Sequence, residues 1–353
     1  MRIPLLLPAL LLAACASAPP SPTPSATKSP SSLAFPGERH LANIRQLSFG
    51  GENAEAYWSF DGKLLIFQST RGTDACDQQY VMEPDGSHVK QVSNGTGRTT
   101  CGYFFPDGSR ILYSSTHEAS PACPPQPDMS LGYVWPLSDY QIYTARPDGS
   151  DIQVLAPSPG FYTAEATVSR DGWIVFTSTR DGDLDLYKMR LDGSELTRLT
   201  REPGYDGGAF FSADGKRIVY RASRPAPGKE MDDYRSLLAR KMVRPGKLEI
   251  MTMDADGTNV RQVTRLGAGS FAPFFFPDGK RIIFSTNHGD PKGRNFDLYL
   301  VNDDGTGLER VTTYDGFDGF PMFSPDGKRL VFASNRNGSK PGETNLFIAD
   351  WVE

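Results

Sequence analysis

The chain has 353 residues, a length that allows one large domain or two ordinary ones. It contains 28 Pro and 35 Gly in a sequence that is 38% hydrophobic, and this combination favours short strands joined by many turns over long helices. Its net charge is -5, with acidic and basic residues interspersed, which argues against nucleic acid as a partner.

The first fifteen residues have the features of a targeting segment. Arg2 precedes an apolar stretch, residues 5–12, that is too short to span a bilayer as a helix. The sequence Leu-Ala-Ala-Cys at 12–15 resembles the lipobox of bacterial lipoproteins, in which the cysteine carries the lipid. We therefore expect residues 1–15 to be a lipoprotein signal peptide with lipidation at Cys15, the alternative being an ordinary secretory signal. In a Gram-negative cell, Ala16 favours the periplasmic side of the outer membrane.

Residues 16–38 are rich in Pro and Ser and nearly lack large apolar side chains. Such a composition is typical of a semi-extended tether that does not build a core of its own. The remaining residues, 39–353, are predicted to form the folded part of the chain.

Asp-Gly pairs recur along this folded part in two series. The pair suits a tight turn between strands, because glycine adopts a positive φ without penalty. The first series consists of Asp61-Gly62, Asp107-Gly108, Asp171-Gly172, Asp214-Gly215, Asp278-Gly279 and Asp326-Gly327. The second series consists of Asp85-Gly86, Asp148-Gly149, Asp192-Gly193, Asp256-Gly257 and Asp304-Gly305. Together they predict repeats of four antiparallel strands, with one turn of each series in a complete repeat.

The second series is one member short, because the last repeat ends with its third strand, which begins at Asn345. The sequence Ile-Arg-Gln-Leu-Ser at 44–48 matches the fourth-strand sequence Val-Arg-Gln-Val-Thr at 260–264. An N-terminal strand that completes the C-terminal repeat would leave no exposed sheet edges. We therefore predict an all-β fold: a six-bladed β-propeller of four-stranded antiparallel blades, with a closing blade shared between the two termini.

The repeat Phe-Ser-Pro-Asp-Gly-Lys-Arg-Leu-Val-Phe at 323–332 resembles the WD40-like (PD40) repeats of TolB-like propellers. The resemblance extends over nearly all of residues 39–353. It specifies the fold strongly and the activity weakly, since this fold serves many functions. The expected protein is a lipoprotein member of the family that lacks the N-terminal α/β domain of TolB.

Two long insertions are predicted on one face of the disc, between the second and third strands of blades two and four. They cover about 117–138, which is Pro-rich and then aromatic, and about 224–246, which contains a predicted helix. Both Asp-Gly series turn at the opposite face. Long loops on a rigid scaffold often carry binding sites, although these two loops can also simply pack on each other.

Two columns of residues near the start of each first strand are predicted to line the mouth of the central channel. The first column is Asn53, Thr99, Thr163, Asp206, Ser270 and Asp318, and the second is Glu55, Cys101, Glu165, Gly208, Ala272 and Phe320. Because side chains alternate along a strand, columns two positions apart share one side. We expect a ligand site at Asn53, Glu55, Thr99, Glu165, Asp206 and Asp318, which would hold a cation or the basic group of a peptide. The alternative is a hydrated channel lining without a ligand.

Three cysteines follow Cys15, namely Cys76, Cys101 and Cys123, and all three map to blades one and two. A secreted location permits a disulfide, but an odd number cannot pair completely within one chain. All three are disulfide candidates; a bond between Cys101 and one of the other two is feasible and would leave the third as a free thiol.

The sequence contains neither a G-x-S-x-G elbow nor a hydrolase domain after the last repeat. His117 and His288 fall on the face of the insertions, where His117 takes the repeat position that is Arg in Arg71, Arg180 and Arg336. Resemblance to oligogalacturonate lyases, a related group of propellers, implies an alternative function. In that alternative, these histidines would bind a metal for cleavage of acidic sugars.

The favoured function is a protein- or peptide-binding scaffold, lipid-anchored in the bacterial envelope, with the enzymatic role kept as the alternative. The partner is expected to be an envelope protein or peptide, which engages the channel mouth and the insertions. The chain itself is expected to be monomeric and to touch the membrane only through its lipid. No cofactor is expected apart from a structural or channel cation.

Overall fold

The computed structural model describes residues 33–353, so the predicted signal peptide, Cys15 and most of the predicted tether lie outside the described residues. The described part forms six four-stranded antiparallel sheets arranged around an axis. The prediction of a six-bladed propeller is confirmed. Within residues 33–353, we find no helix with the length and apolar character needed to cross a membrane.

In blades one to five, the strands follow one another in sequence from the centre of the disc to its rim. The first strand of the described residues is β1 (Leu41–Gln46). Blade one is β2 (Glu52–Trp58), β3 (Leu65–Thr70), β4 (Gln78–Met82) and β5 (Lys90–Gln91). Blade two is β6 (Thr99–Phe104), β7 (Ile111–Ser115), the insertion strand β8 (Trp135–Pro136), β9 (Gln141–Ala145) and β10 (Gln153–Val154). Blade three is β11 (Thr163–Val168), β12 (Trp173–Ser178), β13 (Asp185–Arg190) and β14 (Thr197–Arg198).

The second half of the disc repeats this order. Blade four is β15 (Asp206–Phe211), β16 (Arg217–Ala222), the insertion with α1 (Lys229–Ala239) and β17 (Met242–Val243), then β18 (Glu249–Asp254) and β19 (Arg261–Gln262). Blade five is β20 (Ser270–Phe275), β21 (Arg281–Thr286), β22 (Asp297–Asn302) and β23 (Glu309–Arg310). Blade six is β24 (Asp318–Phe323), β25 (Arg329–Ser334), β26 (Asn345–Trp351) and, as its outer strand, β1. The shared closing blade is therefore confirmed.

The core lies between neighbouring blades, where the sheets pack face to face. The second strands are the most deeply buried, as in β12, where Ile174, Val175 and Phe176 have no exposed surface. Burying one such side chain stabilises the fold by about 1.5–3 kcal/mol. The glycines of the first Asp-Gly series all have positive φ, for example 71° at Gly62, which explains why this turn recurs.

The folded region begins earlier than predicted, because residues 33–38 are packed on the disc and are not part of a tether. Glu38 is only 6% exposed, and the ring of Phe35 lies 5.0 Å from that of Tyr314. The carboxylate of Glu38 pairs with the buried guanidinium of Arg336 in blade six. The Pro-rich composition of residues 16–38 gave no indication that residues 33–38 pack on the disc through polar and aromatic contacts.

Candidate functional site

The second column of predicted channel residues forms a ring around the axis, with one residue from each blade. All six residues have left-handed backbones, with φ from 49° at Ala272 to 60° at Glu165. In every first strand the pairing register shifts at this point; in blade one, Ala54 pairs with Gln68 but Tyr57 pairs with Ile66. Two residues therefore face one, which is a β-bulge. The six ring residues that line one small pocket are Glu55, Cys101, Glu165, Gly208, Ala272 and Phe320.

The first column is absent from this pocket, because the bulge interrupts the alternation on which its prediction relied. Every member of the column, Asn53, Thr99, Thr163, Asp206, Ser270 and Asp318, has no exposed surface. Asn53 accepts hydrogen bonds from Ser69 and Arg71 at 2.8 and 2.9 Å. The prediction that Asn53, Thr99, Asp206 and Asp318 form the ligand site is therefore wrong. Glu55 and Glu165 do line the pocket.

Asp206 and Asp318 instead hold arginines that follow the second strands. Asp206 accepts a bond of 2.7 Å from Arg224, and Asp318 accepts one of 2.8 Å from Arg336. Burial raises the pKa of Asp206 to about 7, although the neighbouring Arg224 opposes this shift. These ion pairs connect strands within a blade, and both carboxylates are buried outside the lining of the channel pocket.

Glu165 has its bonding capacity filled by protein donors. Its carboxylate accepts from the hydroxyl of Thr177 at 2.7 Å, the hydroxyl of Tyr205 at 2.9 Å and the backbone N–H of Gly208 at 2.8 Å. It is also paired with the guanidinium of Arg221. Burial alone would lower the pKa of Arg221, but the charge of Glu165 together with the neighbouring Tyr205 and Tyr162 outweighs that effect and raises it. The pair is thus a fixed, internally neutralised element of the pocket floor.

Glu55 is the contrasting carboxylate of the ring. Its Oε2 atom is enclosed yet has no hydrogen-bond partner among residues 33–353. Burial raises the pKa of Glu55 to about 7; the charge of Glu165 adds to the shift, while the Cys101 thiol and Arg221 oppose it. Burial and the Glu55 charge in turn raise the pKa of the Cys101 thiol. Glu55 is therefore a carboxylate whose ionised form gains from a cationic partner.

The ring forms the floor of a larger cavity of about 920 Å³ on the face that carries the insertions. Tyr133 and Arg294 are exposed and mark its opening. One wall consists of Tyr133, Trp135, Tyr140, Tyr162 and Tyr205. The opposite blades contribute four phenylalanines, which we call the Phe wall: Phe271, Phe296, Phe317 and Phe320.

The two insertions build part of this cavity and also pack on each other. Strand β8 pairs with β17, with Trp135 opposite Val243 and Pro136 opposite Met242. The ring of Trp135 lies 5.2 Å from the guanidinium carbon of Arg221, which places the blade-two insertion directly over the floor. The expectation that the insertions pack on each other is therefore confirmed, while a binding role for them stays a prediction.

Below the ring, aromatic side chains close the channel. Tyr57, Tyr103 and Phe210 are each at most 6% exposed, and their ring centroids lie 5.3–6.3 Å apart. Another small pocket, on the side of the Asp-Gly turns, has a volume of about 80 Å³. The large cavity is thus a blind recess at this level, and a ligand that reaches Glu55 must enter past the insertions.

The predicted disulfide involves a different pair of cysteines. Cys76 is bonded to Cys123, and Cys101 is free and buried. The pairing of Cys101 that the sequence left feasible is therefore not the one found, because its bulge position directs it to the channel beside Glu55. The bond connects the loop after β3 to the Pro-rich half of the blade-two insertion.

The structure does not bring His117 and His288 together. The His117 ring packs 4.2 Å from Tyr143, and the His288 ring packs 6.0 Å from Tyr299, in blades two and five. Neither histidine lines the cavity. Across residues 33–353, no group of three or more His, Cys, Asp or Glu side chains is arranged to hold a metal ion. The two histidines therefore do not fit the metal site that the lyase alternative requires.

Sequence reasoning missed Arg221, Tyr205, Trp135 and most of the Phe wall. Arg221 lies on a second strand, at the position taken by Gln68 in blade one and Thr177 in blade three. A basic residue in a column that is otherwise uncharged was a usable signal. The contributions of Trp135 and Tyr205 depend on how the insertions fold over the disc, which no repeat pattern specifies.

Comparisons with known proteins agree with the fold. No family model matches the chain. A TolB homolog from Chlorobium luteolum is 30% identical over 148 residues, which cover 35% of this chain and 34% of that protein. The Tol-Pal system protein TolB of Francisella tularensis subsp. holarctica is 26% identical over 193 residues, which cover 46% of this chain and 44% of that protein. The chain thus spans less than half the length of the curated relatives it matches.

Solved structures extend the similarity to most of the chain. A putative TolB from Agrobacterium tumefaciens superposes with a TM-score of 0.57 at 19% identity, covering 88% of this chain and 97% of that one. An oligogalacturonate lyase from Vibrio parahaemolyticus superposes with a TM-score of 0.51 at 13% identity, covering 87% and 93%, which is a similarity of fold alone. Six blades, the repeat sequence and these relatives together show a six-bladed β-propeller that is similar to the TolB-like propellers.

Proposed function

We propose that this propeller is a binding scaffold of the bacterial envelope, which holds a segment of a partner protein or a peptide in its large cavity. The observation that carries the proposal is the cavity itself: about 920 Å³, walled by aromatic side chains and bordered by both insertions. Ligand sites are typically concave, about 300–1,000 Å³ in volume and mostly apolar, with a few polar groups. Here those polar groups are on the floor, where Glu55 is the carboxylate without a protein cation.

The floor favours binding over catalysis. Glu165 is occupied by Thr177, Tyr205, Gly208 and Arg221, so it is poorly placed to take a proton from a substrate. The lyase-like alternative relied on His117 and His288, whose positions outside the cavity give it no support. A cavity with aromatic walls and the fixed Glu165–Arg221 ion pair on its floor suits the binding of a ligand that is released chemically unchanged.

The proposed location follows from the N-terminal sequence and from the relatives. Residues 1–15 have the pattern of a lipoprotein signal with Cys15 as the lipidated residue, and one relative is named for the Tol-Pal system. We infer a monomeric, lipid-anchored protein whose partner is another envelope protein. Replacing Cys15 by Ser should move the protein from the membrane fraction to the soluble envelope fraction; retention in the membrane would contradict the anchor.

The binding proposal is tested by photocrosslinking in cells that produce the full chain. A photoreactive amino acid is placed at Tyr133, which is 66% exposed at the cavity opening. The matched position is Val260, which is 50% exposed next to an Asp-Gly turn on the other face. We expect a defined crosslinked species from position 133 that is absent from position 260.

The substitution Trp135→Ala then connects the crosslink to the cavity. Trp135 lines the cavity beside Arg221, so its removal should reduce the crosslink at position 133 without reducing the amount of protein. Phe49→Ala is the control, because Phe49 is 75% exposed and lies outside the cavity lining. Equal crosslinking from both faces, or a crosslink that is indifferent to Trp135, would exclude the cavity as the binding site.

A further inference from the structure

The Phe wall is a continuous apolar surface inside an otherwise mixed cavity. Phe271 lies 5.3 Å from both Phe296 and Phe320, measured between ring centroids, and Phe317 lies 6.1 Å from each of those two. None of the four is fully buried, so each ring keeps surface that faces the cavity. Four partly exposed Phe rings in contact are costly to leave in water, and they become favourable when an apolar group covers them.

Glu55 borders this wall directly. Strands β2 and β24 are neighbours across the closing point of the propeller, so Glu55 and Phe320 occupy adjacent positions in the ring of six. When one side chain of a ligand covers Phe320, the adjoining side chain of that ligand therefore lies next to Glu55. The junction between blade six and blade one thus presents an apolar surface and a carboxylate side by side.

The other charges near Glu55 are already paired. Arg221 is paired with Glu165, and the Nε atom of Arg98 lies 3.8 Å from the carboxylate of Asp77, an ion pair without a hydrogen bond. Arg294 is at the exposed rim of the cavity. Among residues 33–353, the Oε2 atom of Glu55 has no donor. An enclosed carboxylate of this kind is stabilised when a ligand supplies the donor.

We propose that the cavity selects a peptide segment in which an aromatic side chain adjoins a lysine or arginine, with the aromatic ring on the Phe wall and the basic group on Glu55. This inference rests on the proposed binding function and specifies its ligand. The aromatic ring is favoured over an aliphatic side chain because tilted and edge-on aromatic pairs add about 0.5–1.5 kcal/mol beyond area burial. An acidic residue in the second position is disfavoured by Glu55 and Glu165 together.

The test begins with a random peptide library displayed on phage and selected on the immobilised full chain. We expect the selected peptides to be enriched in aromatic-basic pairs. One selected peptide is then synthesised in three forms: unchanged, with the basic residue replaced by norleucine, and with the aromatic residue replaced by Ala. Norleucine should weaken binding by about ten- to a hundredfold, because a hydrogen bond to a charged group is worth about 1.5–3 kcal/mol.

Variants of the protein show which of its side chains contacts the aromatic residue of the peptide and which contacts the basic residue. With Glu55→Gln, the unchanged and norleucine peptides should bind almost equally, so the two losses are not additive. With Phe317→Ala, the aromatic residue of the peptide should matter less, while its basic residue should matter as before. The matched controls are Glu52→Gln, exposed at the start of the same strand, and Phe49→Ala.

The possible outcomes distinguish a failure of this inference from a failure of the proposed binding function. Peptides that compete with the crosslink at Tyr133 but carry no aromatic-basic pair would overturn the inference and leave the binding function standing. The same holds if Glu55→Gln leaves the preference for a basic residue intact. Failure to select any peptide, or selection that is indifferent to Trp135→Ala, would contradict the binding function itself.

Discussion

Both carboxylate oxygens of Glu38 accept hydrogen bonds from the guanidinium of Arg336, at 3.1 and 2.9 Å. Arg336 is 1% exposed and also donates to Asp318 at 2.8 Å. The segment in front of the first strand is thereby fixed to the blade that the chain completes last. The closing blade is thus held by a buried ion-pair network as well as by the β1–β26 ladder.

Replacing Arg336 by Met should destabilise the protein strongly. The substitution leaves two buried carboxylates without their cation, and breaking a buried pair in this way costs about 3–5 kcal/mol. The free energy of unfolding, measured by urea denaturation of the full chain, should fall by that amount. Arg39→Gln is the control, since Arg39 is exposed and its pair with Glu309 should contribute about 0–1 kcal/mol. Similar effects of the two substitutions would show that the network is not important for closure.

Two equivalent positions in the ring of six bulge residues, Gly208 and Ala272, are expected to respond differently to substitution. Gly208 and Ala272 have φ of 58° and 49°, so backbone strain alone treats them alike. A Cβ at Gly208, however, would lie 2.7 Å from the Arg221 guanidinium. We expect Ala272→Gly to change stability by less than about 1 kcal/mol. Gly208→Ala should cost more and should separate Arg221 from Glu165.

Thermal unfolding and the crystal structures of both variants provide the measurement. The decisive observation is the position of Arg221, because its displacement in Gly208→Ala distinguishes a steric cause from a general loss of stability. An unchanged Arg221–Glu165 pair in a fully stable Gly208→Ala variant would contradict the prediction.

The sequence predicted the architecture well, because repeats report directly on blades and on the closing strand. The prediction of the channel lining was wrong in part, because an extra residue at each bulge reverses the alternation of side chains on which the two columns depended. A signal for the bulge was present: the residue after each ring position is small, namely Ala56, Gly102, Ala166, Ala209, Pro273 and Pro321. At Gly102, for example, a Cβ would lie 2.3 Å from Gln79. The tertiary pairing of β8 with β17 had no such local signal.

Mapping of the cysteines should recover a single disulfide. Digestion under non-reducing conditions should yield a peptide that joins Cys76 to Cys123, and Cys101 should react with a maleimide only after denaturation. Cys101 is 9% exposed, and the pKa of its thiol is raised by burial and by Glu55, so the reactive thiolate is scarce in the folded state. Rapid labelling of native Cys101, or a bond that includes it, would refute the assignment.

Removing the disulfide should also affect the insertion. A Cys76→Ser, Cys123→Ser variant should lose about 2–4 kcal/mol of stability, because the bond restricts the unfolded chain. Since the bond anchors the Pro-rich half of the blade-two insertion, hydrogen exchange should increase around β8. Cys101→Ala is the matched control and should leave exchange at β8 unchanged.

The raised pKa of Glu55 makes stability depend on pH in a defined direction. The pKa is about 7 in the folded protein, against an ordinary value of 4.5, so the folded state keeps a proton that the unfolded chain has lost. Stability from this group is therefore fully present below about pH 4.5 and is lost as the pH rises through 7. The loss is roughly 1–2 kcal/mol, reduced from the full linkage value because the side chain faces a cavity open to water.

Glu55→Gln should remove this dependence. The free energy of unfolding of the native protein relative to the variant should fall between pH 5 and pH 8. The groups that face Glu55, namely Asp77, Cys101, Glu165, Arg221 and Tyr57, are present in both proteins, so their own titration largely cancels in the difference. Asp206, which also has a pKa of about 7, cancels in the same way. Glu52→Gln should show no such trend, and a difference that stays constant or rises with pH would mean that Glu55 is ionised in the folded protein throughout this range.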